Sequence, residues 1–296
     1  MNKKKYFDPE FIAKLDRFDL RARLIVEGFI TGLHKSPFHG FSVEFLEHRE
    51  YLPGDPIKHI DWKVYGKSDR YFIKKYEEET NLKAYILVDC SKSMGFSSQI
   101  INKLEYAKTL ASALSYLMIS QQDAVGLLSF ADEILQYIPP RSAKTHLSTI
   151  FHELDSLSPQ NKTNTAKILH NLAERIKKRG LIILISDLLD DPEEIISGLQ
   201  HFRHHKHEVV VFHILDDQEL NFQYKQKTRF VDMETGEEII THPWEIKKLY
   251  KEKINNMKNF FTGKCRNAFI DYMPINTSTN YEQALFAYLI KRQKLL

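Results

Sequence analysis

Three observations predict an α/β fold with a largely parallel sheet. Beyond the acidic run Glu77-Glu78-Glu79, short apolar segments alternate with helical patterns. The first two of those segments enclose a helix with one apolar face. A later helix opens on Asp191 and Pro192, with Glu194 in capping-box register. The strands read as Ala84 to Val88, Val125 to Phe130, Leu181 to Ile185 and Val209 to Leu215.

In chain order, the N-terminal element is a helix. Asp8 stands as N-cap, Pro9 takes the first helical position and Glu10 the first turn, followed by apolar Phe11, Ile12, Leu15, Phe18 and Leu24. The pattern runs to about Gly32. Between Ser36 and Lys67, Pro37, Gly40, Pro53, Gly54, Pro56 and Gly66 divide the chain into short β-like pieces such as Phe41 to Phe45. Residues 1–79 are therefore expected to form a helix and a small mixed N-terminal subdomain.

Residues 80–220 carry the alternating pattern. Leu104, Ala107, Leu110, Ala111, Leu114, Leu117 and Met118 recur at spacings of three and four and give the first helix its buried face. Glu133 to Ile138 reads as an extra strand paired with Val125 to Phe130. Ser142 opens a helix with Leu147, Ile150, Phe151 and Leu154 inward, and helices over Thr163 to Lys178 and Pro192 to Phe202 follow. Right-handed crossovers place helices on both sheet faces. In residues 221–296, Thr228 to Asp232 reads as an edge strand, Met233 to Glu237 as a turn containing Gly236, and Trp244 to Phe261 as a last long helix packed on the core.

Composition narrows the class of function. With 296 residues, 43% apolar and 27% charged, and no low-complexity tract, the chain reads as a globular protein of one or two domains. Apolar runs such as Leu181 to Ile185 are far short of the roughly 18 residues a membrane span needs. The start, MNKKKYFDPEF, lacks the apolar stretch of a signal peptide, so a cytoplasmic location is expected. Two cysteines, Cys90 and Cys265, make no disulfide framework. A net charge of +3, with the positive residues scattered, gives no basic stripe for nucleic acid.

Sites in open α/β sheets form outside the carboxyl ends of the strands, at a topological switch point. The first strand ends in Asp89-Cys90-Ser91-Lys92-Ser93, which offers a carboxylate and two hydroxyls on alternate residues. Thr163 and Thr165 precede the helix containing Lys167, and the third strand ends in Ser186-Asp187. Hard oxygen donors without a Cys or His cluster suit Mg²⁺ or Mn²⁺.

Asp-x-Ser-x-Ser, a Thr further on and an Asp closing a later strand resemble the metal-ion-dependent adhesion site of von Willebrand factor A domains. The resemblance covers Asp89, Ser91, Ser93, Thr163 and Asp187, with Thr163 preferred over Thr165. It implies a von Willebrand factor A-like, Rossmann-like sheet over residues 80–220. It also implies Mg²⁺ bound directly by Ser91 and Ser93, and directly or through water by Thr163 and the two aspartates, with an acidic partner residue completing the shell. A match over nearly the whole chain comes from Gly40 to Phe45, Arg49 to Trp62, the adhesion-site motif, Ile185 to Asp187 and Asp232 to Gly236. These segments are similar to the family called domain of unknown function 58. Members are described beside MoxR-type AAA+ ATPases, so the resemblance implies a non-enzymatic adaptor whose partner is such an ATPase or its substrate.

Other readings accompany these. A Mg²⁺-dependent phosphatase-like hydrolase also opens with an Asp after its first strand, but it needs a second Asp as general acid where this chain has Ser91. Arg49 to Trp62 reads as a turn and packing segment rather than a recognition surface. His201, His204, His205 and His207 read as a solvated helix end, because no Cys or carboxylate stands nearby at zinc spacing. Lys177-Lys178-Arg179 reads as the complement of a helix C-terminus.

Overall fold

The computed structural model describes residues 9–33, 48–50, 71–74, 82–160, 164–233 and 236–293. The chain forms two compact units, Thr31–Asn81 and a larger one of Met1–Ile30 with Leu82–Leu296. In the smaller unit, β1 (His48–Glu50) pairs antiparallel with β2 (Phe72–Lys74), Arg49 opposite Ile73. Phe41 to Phe45, and residues 51–62 of the Arg49 to Trp62 segment, lie outside the described residues.

The expected N-terminal helix is two helices, α1 (Pro9–Ala13) and α2 (Phe18–Leu33). The cause of the break is Arg21, a residue from the second helix. Its guanidinium donates to the carbonyls of Leu15 at 2.6 Å and Ala13 at 3.1 Å, taking over acceptors that a continuous helix would fill. Asp8, the expected cap, is outside the described residues.

The core of the larger unit is a six-stranded sheet in the order β10-β7-β6-β3-β4-β5. Its strands are β3 (Lys83–Asp89), β4 (Ala124–Phe130), β5 (Ile134–Arg141), β6 (Leu181–Ser186), β7 (Glu208–Leu215) and β10 (Asp271–Asn276). All neighbours are parallel except β4 and β5, the expected pair, which run antiparallel. Inner strands β3, β6 and β7 are buried on both faces and read as continuous apolar runs, as parallel strands do. Strand β10, which the hydrophobic pattern does not reveal, carries Pro274 and polar ends and is tolerated as an edge because only β7 pairs with it.

Between β3 and β4 runs α3 (Lys103–Ser120). The spacing predicts one buried face, but the helix is buried nearly all round, including Lys103, Tyr106, Lys108, Thr109, Ser112 and Ser115. Helices from both chain ends cover its second face. Arg21 of α2 reaches Glu105 and Thr109, and Tyr106 stacks on Tyr281 with ring centroids 4.5 Å apart, just before α9 (Glu282–Gln293). The opposite sheet face packs on α5 (Thr165–Arg175), α6 (Pro192–His204) and α8 (Pro243–Asn267) through Leu87, Leu184 and Val211 against Leu169, Leu199 and Phe261. Remaining elements are α4 (His146–Ser156), α7 (Asp217–Asn221) and a hairpin of β8 (Thr228–Val231) with β9 (Glu238–Thr241). The expected edge strand at Thr228 thus pairs outside the main sheet, and the long helix from Trp244 is followed by a further strand and helix. No helix among the described residues is long and apolar enough to cross a membrane.

Candidate functional site

From β3 the chain moves to β4 and β5 on one side, then returns to β6 and β7 on the other. The crossovers therefore diverge at the carboxyl ends of β3 and β6, the switch point where a cleft forms in this architecture. Val88 stands opposite Ile185, so the next residues, Asp89 and Ser186, emerge side by side. Asp89, Ser91, Ser186 and Asp187 are fully buried there, and Ser93 nearly so.

Asp89 turns the chain onto itself. Its Oδ1 accepts the backbone N–H of Ser91 at 2.8 Å, which starts the short 3₁₀ turn Lys92–Gly95. Its Oδ2 accepts the hydroxyl of Ser186 at 2.6 Å. The turn then brings the Ser91 and Ser93 hydroxyl oxygens to 3.1 Å of each other. Cis ligands of an octahedral Mg²⁺ at roughly 2.1 Å lie roughly 3.0 Å apart, so this pair has the spacing of two adjacent ligands.

Asp187 is engaged differently. Its Oδ2 accepts Lys103 Nζ at 2.8 Å, and the same ammonium donates to Glu219 Oε1 at 2.8 Å. Lys103 is the first residue of α3, after Asn102, whose side chain accepts the Glu105 N–H. A cation there opposes the helix dipole, and the two carboxylates offset that cost. Glu219 Oε2 in turn accepts the Asp216 N–H at 2.7 Å, closing a capping box on α7. Asp216 also accepts the hydroxyl and, at 3.0 Å, the N–H of Ser98. The loops after β3, β6 and β7 are thus tied into one polar network.

Electrostatics follow from the burial. Burial, then the charge of Asp187, pushes the Asp89 carboxyl up to about 7, against the hydrogen bonds from Ser186 and Ser91. Burial alone would depress Lys103, but Asp187 and Glu219 more than reverse it and hold the ammonium above the ordinary lysine value. Burial likewise raises Glu219. Burial lowers His213 to about 4, and its Nδ1 lies 2.6 Å from the Tyr272 hydroxyl, so the ring is neutral at pH 7. The thiols of Cys90 and Cys265 are free, buried and pushed up to about 12, which makes both inert.

Of the residues the sequence singles out, Asp89, Ser91, Ser93 and Asp187 come together at the switch point, while Thr163 lies outside the described residues. Thr165 opens α5 and is fully buried, its hydroxyl without a hydrogen-bond partner among the described residues. Ser186, read from the sequence as part of the strand-end pair Ser186-Asp187, binds Asp89, whereas Lys103 and Glu219 are not among the residues the sequence singles out. For Lys103 the sequence does hold a signal, a lysine immediately after a helix N-cap, where a cation is unfavourable unless a carboxylate meets it. The histidines separate: His207 is buried with Nε2 2.8 Å from the Ile176 carbonyl, whereas His201 faces His170. Among the described residues no group of three or more His, Cys, Asp or Glu is placed to hold a metal, so any cation at the switch point would rely on serine hydroxyls beside the aspartates. The donors are all oxygen, and the Ser91–Ser93 spacing fits Mg²⁺ or Mn²⁺.

An uncharacterised protein of Mycobacterium tuberculosis, Rv1480, is 24% identical over 233 residues, 77% of this chain and 73% of its own length. The crystal structure of the conserved hypothetical protein BatB from Bacteroides thetaiotaomicron superposes with a TM-score of 0.50 at 20% identity, covering 72% of this chain and 99% of that one. The VWA domain of SpRpn10 is more distant, at a TM-score of 0.42 and 13% identity over 69% of this chain and 93% of that one. The α/β fold is shared with BatB, and, with residues 47–258 matched by the family described as Protein of unknown function DUF58, the chain belongs to that family.

Proposed function

We propose that this protein is a non-enzymatic, metal-dependent interaction module that binds an acidic residue of a partner protein through Mg²⁺. Ser91 and Ser93 would hold the ion directly, Asp89, Asp187 and Thr163 directly or through water. The ion supplies an electrophilic anchor for an incoming carboxylate, because neutral hydroxyls leave much of its charge uncompensated. The observation that carries this reading is the buried pair of serine hydroxyls, 3.1 Å apart beside Asp89 at the sheet's switch point.

The partner follows from the motif resemblance: a MoxR-type AAA+ ATPase or a protein on which it acts, with this chain as adaptor. A phosphatase-like hydrolase is less well supported. Both Asp89 oxygens accept hydrogen bonds, and the position its general acid would need is Ser91.

The test is a pull-down from native extract with wild-type and Asp89→Ala protein, each in Mg²⁺ and in chelator. A MoxR-type ATPase or its substrate recovered only by wild type in Mg²⁺ is the expected result. Capture that is identical in all four conditions would overturn the metal-dependent reading, and phosphate-ester turnover lost in Asp89→Asn would replace it with the hydrolase.

A further inference from the structure

Lys103 belongs to no ligand set read from the sequence, yet its fully buried ammonium is in direct contact with the last aspartate of the proposed site. That contact has a consequence for any divalent ion. A carboxylate oxygen that accepts an ammonium at 2.8 Å enters a metal's inner shell only by bringing two cations close together among buried groups. The other Asp187 oxygen is partly engaged by the Leu189 N–H at 3.3 Å. Of the two aspartates of the proposed ligand set, Asp89 is then the one without a cationic partner among the described residues.

We infer that Lys103 is a tethered cation that keeps Asp187 outside the metal's inner shell, so that the free protein binds Mg²⁺ weakly and a partner carboxylate supplies the missing anionic ligand. The inference rests on the metal-dependent reading above and assigns its affinity to a positioning residue. Glu219 completes the device. It takes a second ammonium hydrogen bond and is itself fixed by the capping box of α7, so Lys103 is held by two carboxylates. A purely structural role, in which Lys103 only fastens α3 to β6 and α7, predicts a change in stability with no change in metal affinity.

The variant that separates the two is Lys103→Met with Glu219→Gln. It removes one charge of each sign, so the formal charge of the cluster is unchanged while Asp187 is released. Mn²⁺ binding to the full chain is measured by electron paramagnetic resonance for wild type and for this double variant, each with and without Asp89→Asn. Mn²⁺ affinity is expected to rise about tenfold in the double variant, the scale of second-shell effects on metal sites, and to vanish with Asp89→Asn. If wild type binds in an Asp89-dependent way and the double variant binds no tighter, the role of Lys103 is overturned and the metal site stands. If neither binds, both fall. Asp89-dependent binding by the double variant alone supports the inference in its strongest form. Near-UV circular dichroism checks folding; should the double variant not fold, Glu219→Gln alone leaves Lys103 to Asp187, and weaker Mn²⁺ binding is then expected, with unchanged or tighter binding overturning the inference.

Discussion

Ser186 donates its hydroxyl to Asp89 Oδ2 at 2.6 Å, across the adjacent strand ends of β6 and β3. The same hydroxyl oxygen accepts the N–H of Leu188, a residue held at a positive φ of 53°. One serine therefore both steadies a buried carboxylate and pins the turn that carries Asp187. Ser186→Ala removes a hydrogen bond to a charged group and is expected to cost about 1.5–3 kcal/mol. Urea denaturation would show it as a lower midpoint with an unchanged slope; a loss too small to resolve would mean that the bond contributes little.

Asp89→Asn separates stability from function. In the metal-free protein the carboxyl is raised to about 7 by burial and by Asp187, so the folded state holds its proton more tightly than the unfolded chain does. Stability from this group is complete below the ordinary carboxylate value near 4, falls as pH rises through about 7, and is level above it. Asn carries no such penalty. In chelator, the variant is expected to be more stable than wild type by about 2–4 kcal/mol at pH 8 and nearly equal at pH 4. Saturating Mg²⁺ should narrow the gap at pH 8 by stabilising wild type alone. Thermal unfolding at the two pH values checks this, and an Asn variant less stable at pH 8 would contradict it.

Gly198, in the middle of α6, sets helix propensity against packing. Alanine there gains about 1 kcal/mol of intrinsic helix preference. A Cβ at this position would stand 2.8 Å from the Leu169 Cβ of α5 and 3.4 Å from the Ala166 carbonyl. Overpacking of that kind costs about 1–3 kcal/mol, so Gly198→Ala is expected to destabilise, and a raised melting temperature would show that α5 and α6 can move apart.

The parts of the fold legible in sequence are those where local pattern and burial coincide. Leu181 to Ile185 and Val209 to Leu215 read as strands because parallel strands are buried on both faces, and the candidate site residues Asp89 and Asp187 stand at strand ends. The break between α1 and α2 is not local, since Arg21 makes it from the following helix. Strand β10 is masked by its own composition, with Pro274 inside an edge. Helix α9 is different: Ala284, Leu285, Tyr288 and Leu289 are buried at helical spacing, so its signal was present. At the site, Asp89, Ser91, Ser93 and Asp187 form a recognisable order along the chain. Lys103 meets Asp187 and Glu219 at separations of 84 and 116 residues, and only the folded sheet brings those three together.

Ser91 and Ser93 offer the sharpest separation of binding from folding. Each side chain is buried, their hydroxyls are hydrogen-bonded to each other, and the Ser91 side chain also supports the Asp89 carboxyl by a hydrogen bond. Replacing both by alanine removes both partners of the bond between them together, which is close to neutral, but also withdraws one of the hydrogen bonds on Asp89. The backbone N–H of Ser91 still reaches Asp89, so the turn onto Lys92–Gly95 persists. The double alanine variant is therefore expected to fold and to lie about 1–3 kcal/mol below wild type in chelator. It should also lose any stabilisation by Mg²⁺, because two of the proposed ligands are gone. Parallel melting curves with and without Mg²⁺ read both quantities in one experiment. A variant that keeps the Mg²⁺-dependent shift would place the ion elsewhere in the protein.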